Sequence, residues 1–464
     1  MKRILSLLLL ILVPAYAGLL KAQSVQAWVT NPDRSVLFAK QARPMPFAQV
    51  KKTALPTITV DDKKTYQQID GFGFSLTGGS AQHLMKMSPE ARKKLLVELF
   101  SHDGNNIGIS YLRISIGASD LDSIPFSYND LREGETDVNL QKFSLGPDFN
   151  SLIPVLKEIV GIAPDMKILG SPWSAPKWMK TNNDTRGGSL KKEYYAAYAL
   201  YFVKYIQEMK RNGIRIDAIT VQNEPLHPGN NPSMYMPAEE QAEFVKAHLG
   251  PAFAKAGLDT KIIIYDHNAN RPDYPISILN DPEARKYIDG SAFHLYEGKI
   301  EALSEVHKAY PDKNLYFTEQ WIGSPSNFAK DLAEHINDLT IGATRNWCKS
   351  VLEWNLSSNP QLKPHTDRGG CDLCLGGITL DGDKITRNVG YYIVAHASKF
   401  VRPGSVRIES SVPENLNNVA FLTPKGEKVV IVINNSTVKK LFSIRCGKKI
   451  STAVLAPGAV GTYI

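Results

Sequence analysis

The chain of 464 residues is longer than one average domain and suits an α/β barrel of about 250 residues with a smaller domain beside it. Its composition, 43% hydrophobic and 22% charged, is that of a folded, soluble globular protein. The net charge is +8, but three of the cationic residues lie among the first 22 and the others form no basic stripe, so we expect no nucleic-acid partner.

The N-terminus has the order of a secretory signal peptide. Two basic residues precede the apolar run Ile4–Val13, and a small-residue exit, Ala15-Tyr16-Ala17, follows it. A buried N-terminal helix is the alternative. We predict that residues 1–22 are removed on export and that the mature chain is periplasmic or extracellular. Because no later stretch approaches the roughly 20 apolar residues of a membrane span, we expect no stable membrane insertion.

From residue 68 to about residue 357, short apolar runs alternate with longer amphipathic stretches. Eight runs are predicted to be strands: Gln68–Leu76, Ser110–Gly117, Met166–Ser171, Asp217–Val221, Lys261–Tyr265, Ser291–Leu295, Leu315–Phe317 and Ser350–Trp354. Between them, apolar residues recur at helical spacing in Ser88–Phe100, Lys191–Asn212, Ala238–Ala256 and Ser326–Asn337. Eight such units predict a closed (β/α)8 TIM barrel over residues 67–400. The rival is an open doubly wound sheet, but the glycine-rich segment 71–79 does not fit its G-x-G-x-x-G fingerprint.

Strand-like segments lie on both sides of the predicted barrel. On the C-terminal side they include a hairpin around a Pro-Lys-Gly-Glu turn, but about sixty residues alone would make a marginal core. We therefore predict one β-sandwich domain formed from both chain ends, residues 23–66 and 401–464. Its predicted strands are Ser24–Trp28, Ser35–Lys40, Pro56–Val60, Asn418–Thr423, Lys428–Asn434, Leu441–Arg445 and Ile450–Leu455.

The four cysteines leave three interpretations open. They are Cys348, Cys371, Cys374 and Cys446. Cys371 and Cys374 could be half of a zinc site, but only His365 is close enough in sequence to add a ligand. In an exported protein, a local disulfide that fastens the glycine-rich loop 369–377 is the favoured interpretation, and two free thiols are the alternative.

The C-terminal ends of the predicted strands are unusually polar and aromatic. In a (β/α)8 barrel the active site lies at these ends. Runs two to eight lead into Arg113 and Asp120, Ser171–Pro176, Gln222–Pro225, Asp266–Asn268, His294 and Tyr296, Thr318–Trp321, and Glu353–Asn355. Each residue alone has an ordinary explanation as an ion-paired or core residue. Their convergence on one face indicates a functional site.

Two carboxylates at these ends match a specific chemistry. Glu224 and Glu319 follow the fourth and seventh runs, and glycoside hydrolysis requires one carboxyl group to protonate the leaving oxygen while another attacks the anomeric carbon or activates water. Tryptophans at strand ends suit sugar rings, whose apolar faces stack on indoles. A non-catalytic glycan-binding protein and a metal-dependent hydrolase are the competing hypotheses. The residues show no matched His/Asp ligand set for the latter, so we expect no metal ion and no cofactor.

Seven motifs follow one another along the chain. They are Ile69-Asp70-Gly71-Phe72-Gly73, Leu112-Arg113-Ile114-Ser115, Ser171–Asn182, Asn223-Glu224-Pro225, Thr318-Glu319, Trp354-Asn355-Leu356 and His396–Ser405. In this order they resemble glycoside hydrolase family 30, a family of glucosylceramidases and endo-β-1,6-glucanases, over most of the chain. The resemblance implies a retaining double displacement, with Glu319 as the nucleophile and Glu224 as the acid/base.

The resemblance also implies roles for the neighbouring residues. Arg113 and Tyr296 would orient Glu319 and hold it ionised. Substrate contacts would come from Asp120, Trp173, Asn223, His294 and Trp354. The chain departs from the lysosomal glucosylceramidase at Leu295, where that enzyme has an aromatic residue.

The substrate is indicated less directly. The stretch Gly-Gly-Cys-x-x-Cys-Leu-Gly at 369–376 looks like the microbial β-1,6-glucanase branch of the family, and the polar loops 182–189 and 355–370 suit a soluble glycan. We expect a monomer that acts on β-1,6-glucan or a related β-glucoside. Glucosylceramidase, β-xylosidase and β-fucosidase activities are the alternatives within the family.

Overall fold

The computed structural model describes residues 24–49 and 53–464. The predicted signal peptide, residues 1–22, lies outside the described residues. Across the two described segments, no helix combines the length and the apolar character that crossing a membrane requires.

Eight parallel strands close into a barrel, which confirms the predicted fold class. They are β1 (Gly71–Ser75), β2 (Tyr111–Ser115), β3 (Lys167–Ser171), β4 (Ala218–Thr220), β5 (Lys261–Asn268), β6 (Ile288–His294), β7 (Asn314–Glu319) and β8 (Cys348–Asn355). Each strand pairs with the next in chain order, and β8 pairs with β1. Every predicted run overlaps one of these strands. Strands β5 and β7 extend beyond their predicted ends, to Asn268 and Glu319, and so carry polar side chains to the barrel mouth.

Side chains fill the barrel interior, so the barrel is a packed core and not a pore. One buried layer consists of Tyr111, Leu169, Ala218, Ile263, Ala292, Tyr316 and Leu352. The Tyr316 hydroxyl donates a hydrogen bond of 2.6 Å to Asp289 Oδ2, which satisfies its polar end. Because side chains fill the barrel interior, a binding cavity can form only at the ends of the strands.

Helices cover the outside of the barrel. They are Gly78–Lys86, Pro89–Phe100, Leu152–Ile162, Tyr195–Arg211, Ala238–Phe244, Gly250–Lys255, Asp273–Asn280, Pro282–Arg285, Ala302–Ala309, Phe328–Glu334 and Val389–Ser398. The second begins where the sequence predicts, because the Ser88 side chain accepts a hydrogen bond from Ala91 N–H and Pro89 occupies the first turn. Two predicted helices contain π-helical segments that the apolar spacing did not reveal, Val245–Leu249 and His335–Ala343.

Both chain ends contribute to the β-sandwich, as predicted. Its hydrogen-bonded strands lie in the order Ala39–Lys40, Ala27–Thr30, Val460–Tyr463, Lys428–Asn434, Leu416–Leu422, Val406–Ser410, Thr57–Gln68, Lys440–Cys446, Lys449–Leu455 and Ala48–Gln49. The sheet folds over so that the rings of Phe442 and Tyr463, from distant strands, lie 5.9 Å apart. Its core combines residues from both chain ends, such as Ile58 and Val430.

Several strand predictions need correction. Only Ala39–Lys40 of the predicted strand Ser35–Lys40 is extended, because the Asp33 side chain accepts a hydrogen bond from Ser35 N–H and turns the chain. Gln68 ends a twelve-residue sandwich strand instead of starting the barrel. Three further sandwich strands, Ala48–Gln49, Val406–Ser410 and Val460–Tyr463, were not predicted.

His396 joins the barrel to the sandwich. This fully buried residue of the helix Val389–Ser398 hydrogen-bonds through Nδ1 to Thr462 Oγ1 at 2.9 Å and through Nε2 to Thr30 Oγ1 at 2.8 Å. Burial lowers the pKa of His396 to about 3, so the folded chain keeps the ring neutral. One imidazole thereby connects the barrel helix to strands from both ends of the chain.

We expect the substitution His396→Leu to lower the free energy of unfolding by about 1–3 kcal/mol, because two buried threonine hydroxyls lose a hydrogen-bond partner. The unfolded chain protonates histidine near its ordinary pKa while the folded chain does not, so stability from neutral His396 is lost as pH falls through about 6.5. Between about pH 7.5 and about pH 5.5 this loss amounts to roughly 1.4 kcal/mol, and the advantage of the wild type should shrink accordingly. Urea unfolding at both pH values measures it.

The matched control is His102→Leu, since His102 is exposed and its substitution should change stability by less than about 0.5 kcal/mol. If His396→Leu were as stable as this control at both pH values, His396 would not join the domains as described.

Candidate active site

The C-terminal ends of the barrel strands surround a cavity of about 640 Å³. The predicted pair Glu224 and Glu319 lines it, together with Asp120, Tyr296, Trp173 and Trp354. The other predicted residues are buried: Arg113 and His294 contact Glu319 and Glu224, and Asn223 accepts a hydrogen bond from Arg113. The structure therefore brings all nine predicted site residues together, although Leu295 lies apart from the cavity and packs partly buried against the main core.

Arg113 donates hydrogen bonds to four side chains of the site. Its fully buried guanidinium donates from Nη1 to Glu319 Oε2 at 2.5 Å. From Nη2 it donates to Asn223 Oδ1 at 2.6 Å and to Asp266 Oδ2 at 2.8 Å. Nε donates to Ser171 Oγ at 3.1 Å. Since a guanidinium has only five N–H donors, nearly all of its bonding capacity is spent on holding these four side chains.

Asp266 is a functional neighbour that sequence reasoning missed. It lies fully buried in β5, at a β-bulge where Tyr265 and Asp266 adopt positive φ angles of 72° and 66°. Besides Arg113, its carboxylate accepts hydrogen bonds from the hydroxyls of Thr220 at 2.7 Å and Thr318 at 2.6 Å. The fifth predicted run leads directly into Asp266, but one carboxylate after a strand carries no signal of its own.

The environment of Asp266 keeps it ionised. Burial raises the pKa of this carboxyl, but Arg113, His294 and the Thr318 hydroxyl outweigh burial and hold the pKa well below its ordinary range. An ionised Asp266 balances the buried charge of Arg113, which would otherwise cost several kcal/mol.

Glu319 and Glu224 occupy different surroundings. Both oxygens of Glu319 are hydrogen-bond acceptors, Oε2 from Arg113 and Oε1 from the Tyr296 hydroxyl at 2.9 Å. Burial raises the pKa of Glu319 above its ordinary value, while His294 and Arg113 oppose that shift. Glu224, which has a positive φ of 44°, places Oε1 3.2 Å from His294 Nδ1. Its Oε2 is 3.4 Å from Asn230 Nδ2.

His294 connects the two ends of this network. Its Nε2 is 3.2 Å from Asp266 Oδ1 and its Nδ1 is 3.2 Å from Glu224 Oε1. Burial lowers the pKa of His294, but the carboxylates of Glu319, Asp266 and Glu224 outweigh burial and raise it to about 9. Burial raises the pKa of Glu224, but His267 and His294 outweigh burial and hold the pKa well below its ordinary range, so the proton of this pair lies on His294 at neutral pH.

An aromatic wall and a disulfide close one side of the cavity. The rings of Trp173 and Trp354 lie 5.3 Å apart, and the Arg113 guanidinium carbon lies 4.7 Å from the Trp173 ring centroid. Cys371 and Cys374 form a disulfide that also lines the cavity, so the zinc and free-thiol alternatives for this pair are wrong.

The disulfide loop also holds Asp120. The backbone N–H of Cys371 donates to Asp120 Oδ2 at 3.2 Å. Burial raises the pKa of Asp120 to about 8, with further contributions from Glu319 and Glu224, so this carboxyl is protonated at neutral pH. A protonated carboxyl can both donate and accept a hydrogen bond, which suits a hydroxyl ligand.

Comparison with known proteins gives matches to the barrel and to the C-terminal part of the sandwich. The model of the glycosyl hydrolase family 30 TIM-barrel domain matches residues 69–401, and that of the family's β-sandwich domain matches residues 404–463. Endo-1,6-beta-D-glucanase neg1 of Aspergillus fumigatus is 36% identical over 421 residues, which is 84% of either chain. Lysosomal acid glucosylceramidase of Mus musculus is 29% identical and covers 82% of this chain and 77% of its own.

Among solved structures, the endo-beta1,6-glucanase BT3312 superposes with a TM-score of 0.89. It shares 36% of its residues with this chain and covers 95% of this chain and 98% of its own.

Because Asp266 balances the buried charge of Arg113, we expect the isosteric substitution Asp266→Asn to lower the free energy of unfolding by about 3–5 kcal/mol. Thermal and urea unfolding measure it. The matched control is Asp273→Asn, which breaks only the exposed ion pair with Arg271 and should cost less than about 1 kcal/mol. Equal stability of the two variants would contradict the charge-balancing role.

Proposed function

This chain belongs to glycoside hydrolase family 30, and we propose that it is a retaining enzyme that hydrolyses β-1,6-glucan with Glu319 as nucleophile and Glu224 as acid/base. One observation carries the proposal. Oxygens of both carboxylates contact the same nitrogen, His294 Nδ1, at 3.2 Å for Glu224 and 3.8 Å for Glu319. This arrangement is compatible with the separation of about 5–5.5 Å typical of retaining enzymes, in which one carboxylate attacks the sugar directly.

Glu319 has the surroundings of a nucleophile. Arg113 and Tyr296 donate to its two oxygens and orient the carboxylate, and the charge of Arg113 favours the ionised form. In the first step, an oxygen of Glu319 forms a bond to the anomeric carbon as the glycosidic bond breaks. In the second, water displaces Glu319 and restores the original configuration.

Glu224 has a source for the proton that the leaving oxygen needs. With Asp266 ionised, both nitrogens of the His294 imidazolium carry a hydrogen, Nε2–H pointing to Asp266 Oδ1 and Nδ1–H to Glu224 Oε1, and the Nδ1 proton passes to Glu224 when the substrate is bound. Glu224 donates this proton as the glycosidic bond breaks. It later accepts a proton from the attacking water, which returns the pair to its starting state.

The remaining predicted residues suit the sugar unit that is cleaved. Trp173 and Trp354 offer a wall on which an apolar sugar face can stack. Arg113 fixes the orientation of the Asn223 amide by donating to Oδ1, and we assign the amide NH2 group to the substrate 2-hydroxyl. The protonated Asp120 would hold an outer hydroxyl.

The rim of the cavity favours a soluble glycan over a lipid glycoside. It is lined by polar and charged side chains, among them His227, Asn268, Asn270, Arg271 and Glu297. Such a rim can form hydrogen bonds with a second sugar unit, whereas the lipid chains of a ceramide would require an apolar surface. The relative and the solved structure that share 36% of residues with this chain both have the name of β-1,6-glucanase, which supports the same substrate class.

We also propose that the chain is exported. The support is the N-terminal order of basic residues, apolar run and small-residue exit, which is that of a signal peptide.

Substitution of the two glutamates should separate the two steps. Glu319→Gln should reduce kcat by at least roughly 10⁴-fold on every substrate and abolish the covalent glycosyl-enzyme. Glu224→Gln should reduce kcat by roughly 10²–10⁴-fold on glucan, and much less on an aryl glucoside whose phenol leaves without a proton. Rates on both substrates and mass spectrometry of the quenched enzyme measure these effects.

The matched control for both variants is Glu305→Gln, since Glu305 lies exposed on the outer helix Ala302–Ala309. Full turnover by Glu319→Gln, or an α-configured first product from a β-linked glucan by NMR, would overturn the mechanism.

A substrate panel tests the specificity. We expect kcat/KM on the β-1,6-glucan pustulan to exceed that on laminarin, xylan and glucosylceramide by at least about 100-fold, which corresponds to about 2.7 kcal/mol of transition-state binding. Reducing-end release measures activity on the glycans, and glucose release measures it on the lipid. A higher kcat/KM on glucosylceramide or xylan than on pustulan would contradict β-1,6-glucan as the substrate, but it would not affect the proposed retaining mechanism.

A further inference from the structure

Three side chains of the cavity have the composition of a metal site. Glu224, His267 and His294 each offer a ligand atom, and these atoms lie within 4.8 Å of one another. All three residues are buried, on the loop after β4 and on strands β5 and β6. Two imidazoles with one carboxylate are a ligand set that zinc adopts in proteins when a fourth position is open.

Two of the three spacings in the set are close to those around a bound ion. His294 Nδ1 lies 3.2 Å from Glu224 Oε1, and His267 Nδ1 lies 3.7 Å from the same oxygen. Ligand atoms bound tetrahedrally to zinc at 2.0–2.1 Å lie about 3.3 Å apart. All three ligand atoms lie within 4.8 Å of one another, so the two imidazoles must approach each other when an ion binds.

His267 supplies an independent observation. Its side chain is only 10% exposed, and among the described residues its Nδ1 atom has no hydrogen-bond partner, since Glu224 Oε1 lies 3.7 Å away. A buried polar atom without a partner lowers the stability of the fold by about 1–3 kcal/mol. A cation bound to this nitrogen would remove that cost. The proposed hydrolytic mechanism does not use this nitrogen.

The surroundings of the three residues favour a cation. Asp266 Oδ1 contacts Nε2 of His294 at 3.2 Å and fixes the ring so that Nδ1 faces Glu224. Metal-bound histidines commonly have such a carboxylate on the nitrogen that does not bind the metal. Glu319 Oε1 is 3.8 Å from His294 Nδ1 and adds negative charge. The carboxyls of Asp266 and Glu319 pair with the buried cation Arg113, while that of Glu224 has polar contacts only with the two imidazoles and Asn230 among the described residues.

We propose that Glu224, His267 and His294 form an inhibitory site for a divalent transition-metal cation such as Zn²⁺, entered through the sugar cavity. The imidazole ligands select Zn²⁺, Co²⁺ or Cu²⁺ over Mg²⁺ and Ca²⁺, which prefer oxygen. A cation bound to Glu224 occupies the carboxylate that has to protonate the leaving oxygen, so hydrolysis stops while the ion is bound. Only this effect on turnover rests on the proposed function; the binding site itself does not.

Metal titration of the untagged, chelator-treated protein tests the site. Co²⁺ is the probe, because its visible absorption reports nitrogen ligands and low coordination number, and Zn²⁺ binding is measured by calorimetry. We expect one ion per chain in the wild type and at least about 10-fold weaker binding in His267→Gln. The matched control is His227→Gln, which removes another histidine of the same cavity and should leave the affinity within about twofold.

Inhibition is measured on the same three proteins, each relative to its own metal-free rate. The Zn²⁺ concentration for half inhibition should rise about 10-fold in His267→Gln and stay unchanged in His227→Gln. Absence of binding, or equal weakening in both variants, would overturn the site and leave the proposed hydrolytic function untouched. Binding with the expected variant pattern but without inhibition would overturn the inhibitory role and count against Glu224 as the acid.

Discussion

The barrel mouth depends on one buried cation. Arg113, on β2, is fully removed from water and is stable there only because it is paired with carboxylates from β5 and β7. Each of those carboxylates is in turn held by hydroxyls or by Tyr296. The cost of an unpaired buried charge thus forces residues from three separate strands into one arrangement, and that arrangement places Glu319 at the cavity.

The same network holds backbone strain in place. Glu224, Tyr265 and Asp266 have positive φ angles, which side chains other than glycine rarely adopt. The bulge in β5 turns Asp266 inward beneath the site, and the Glu224 backbone N–H donates to the Asp266 carbonyl at 3.0 Å. The ion pair of Asp266 with Arg113 stabilises this strained backbone and so helps to fix the positions of both carboxylates of the proposed reaction.

Local sequence signals predict the barrel and most of the site. Each barrel strand is marked by a short apolar run, and the predicted site residues lie at or just after the ends of these runs. They do not predict Asp266 as a site residue, since its importance arises from a partner 153 residues away. The sandwich shows the same limit. Strand Val406–Ser410 pairs with Thr57–Gln68 from the other chain end, and no property of either segment alone indicates that pairing.

The charge distribution that suits hydrolysis also makes the site attractive to metal ions. A glycosyl transition state carries positive charge, so carboxylates gathered around the anomeric carbon stabilise it. A divalent cation gains from the same excess of negative charge, which one Arg113 offsets only in part. In this chain the imidazoles that adjoin Glu224 add directional nitrogen ligands to that charge. The contacts of Glu224 with His267 and His294 therefore underlie both proposals, the proton supply for hydrolysis and the inhibition by transition metals.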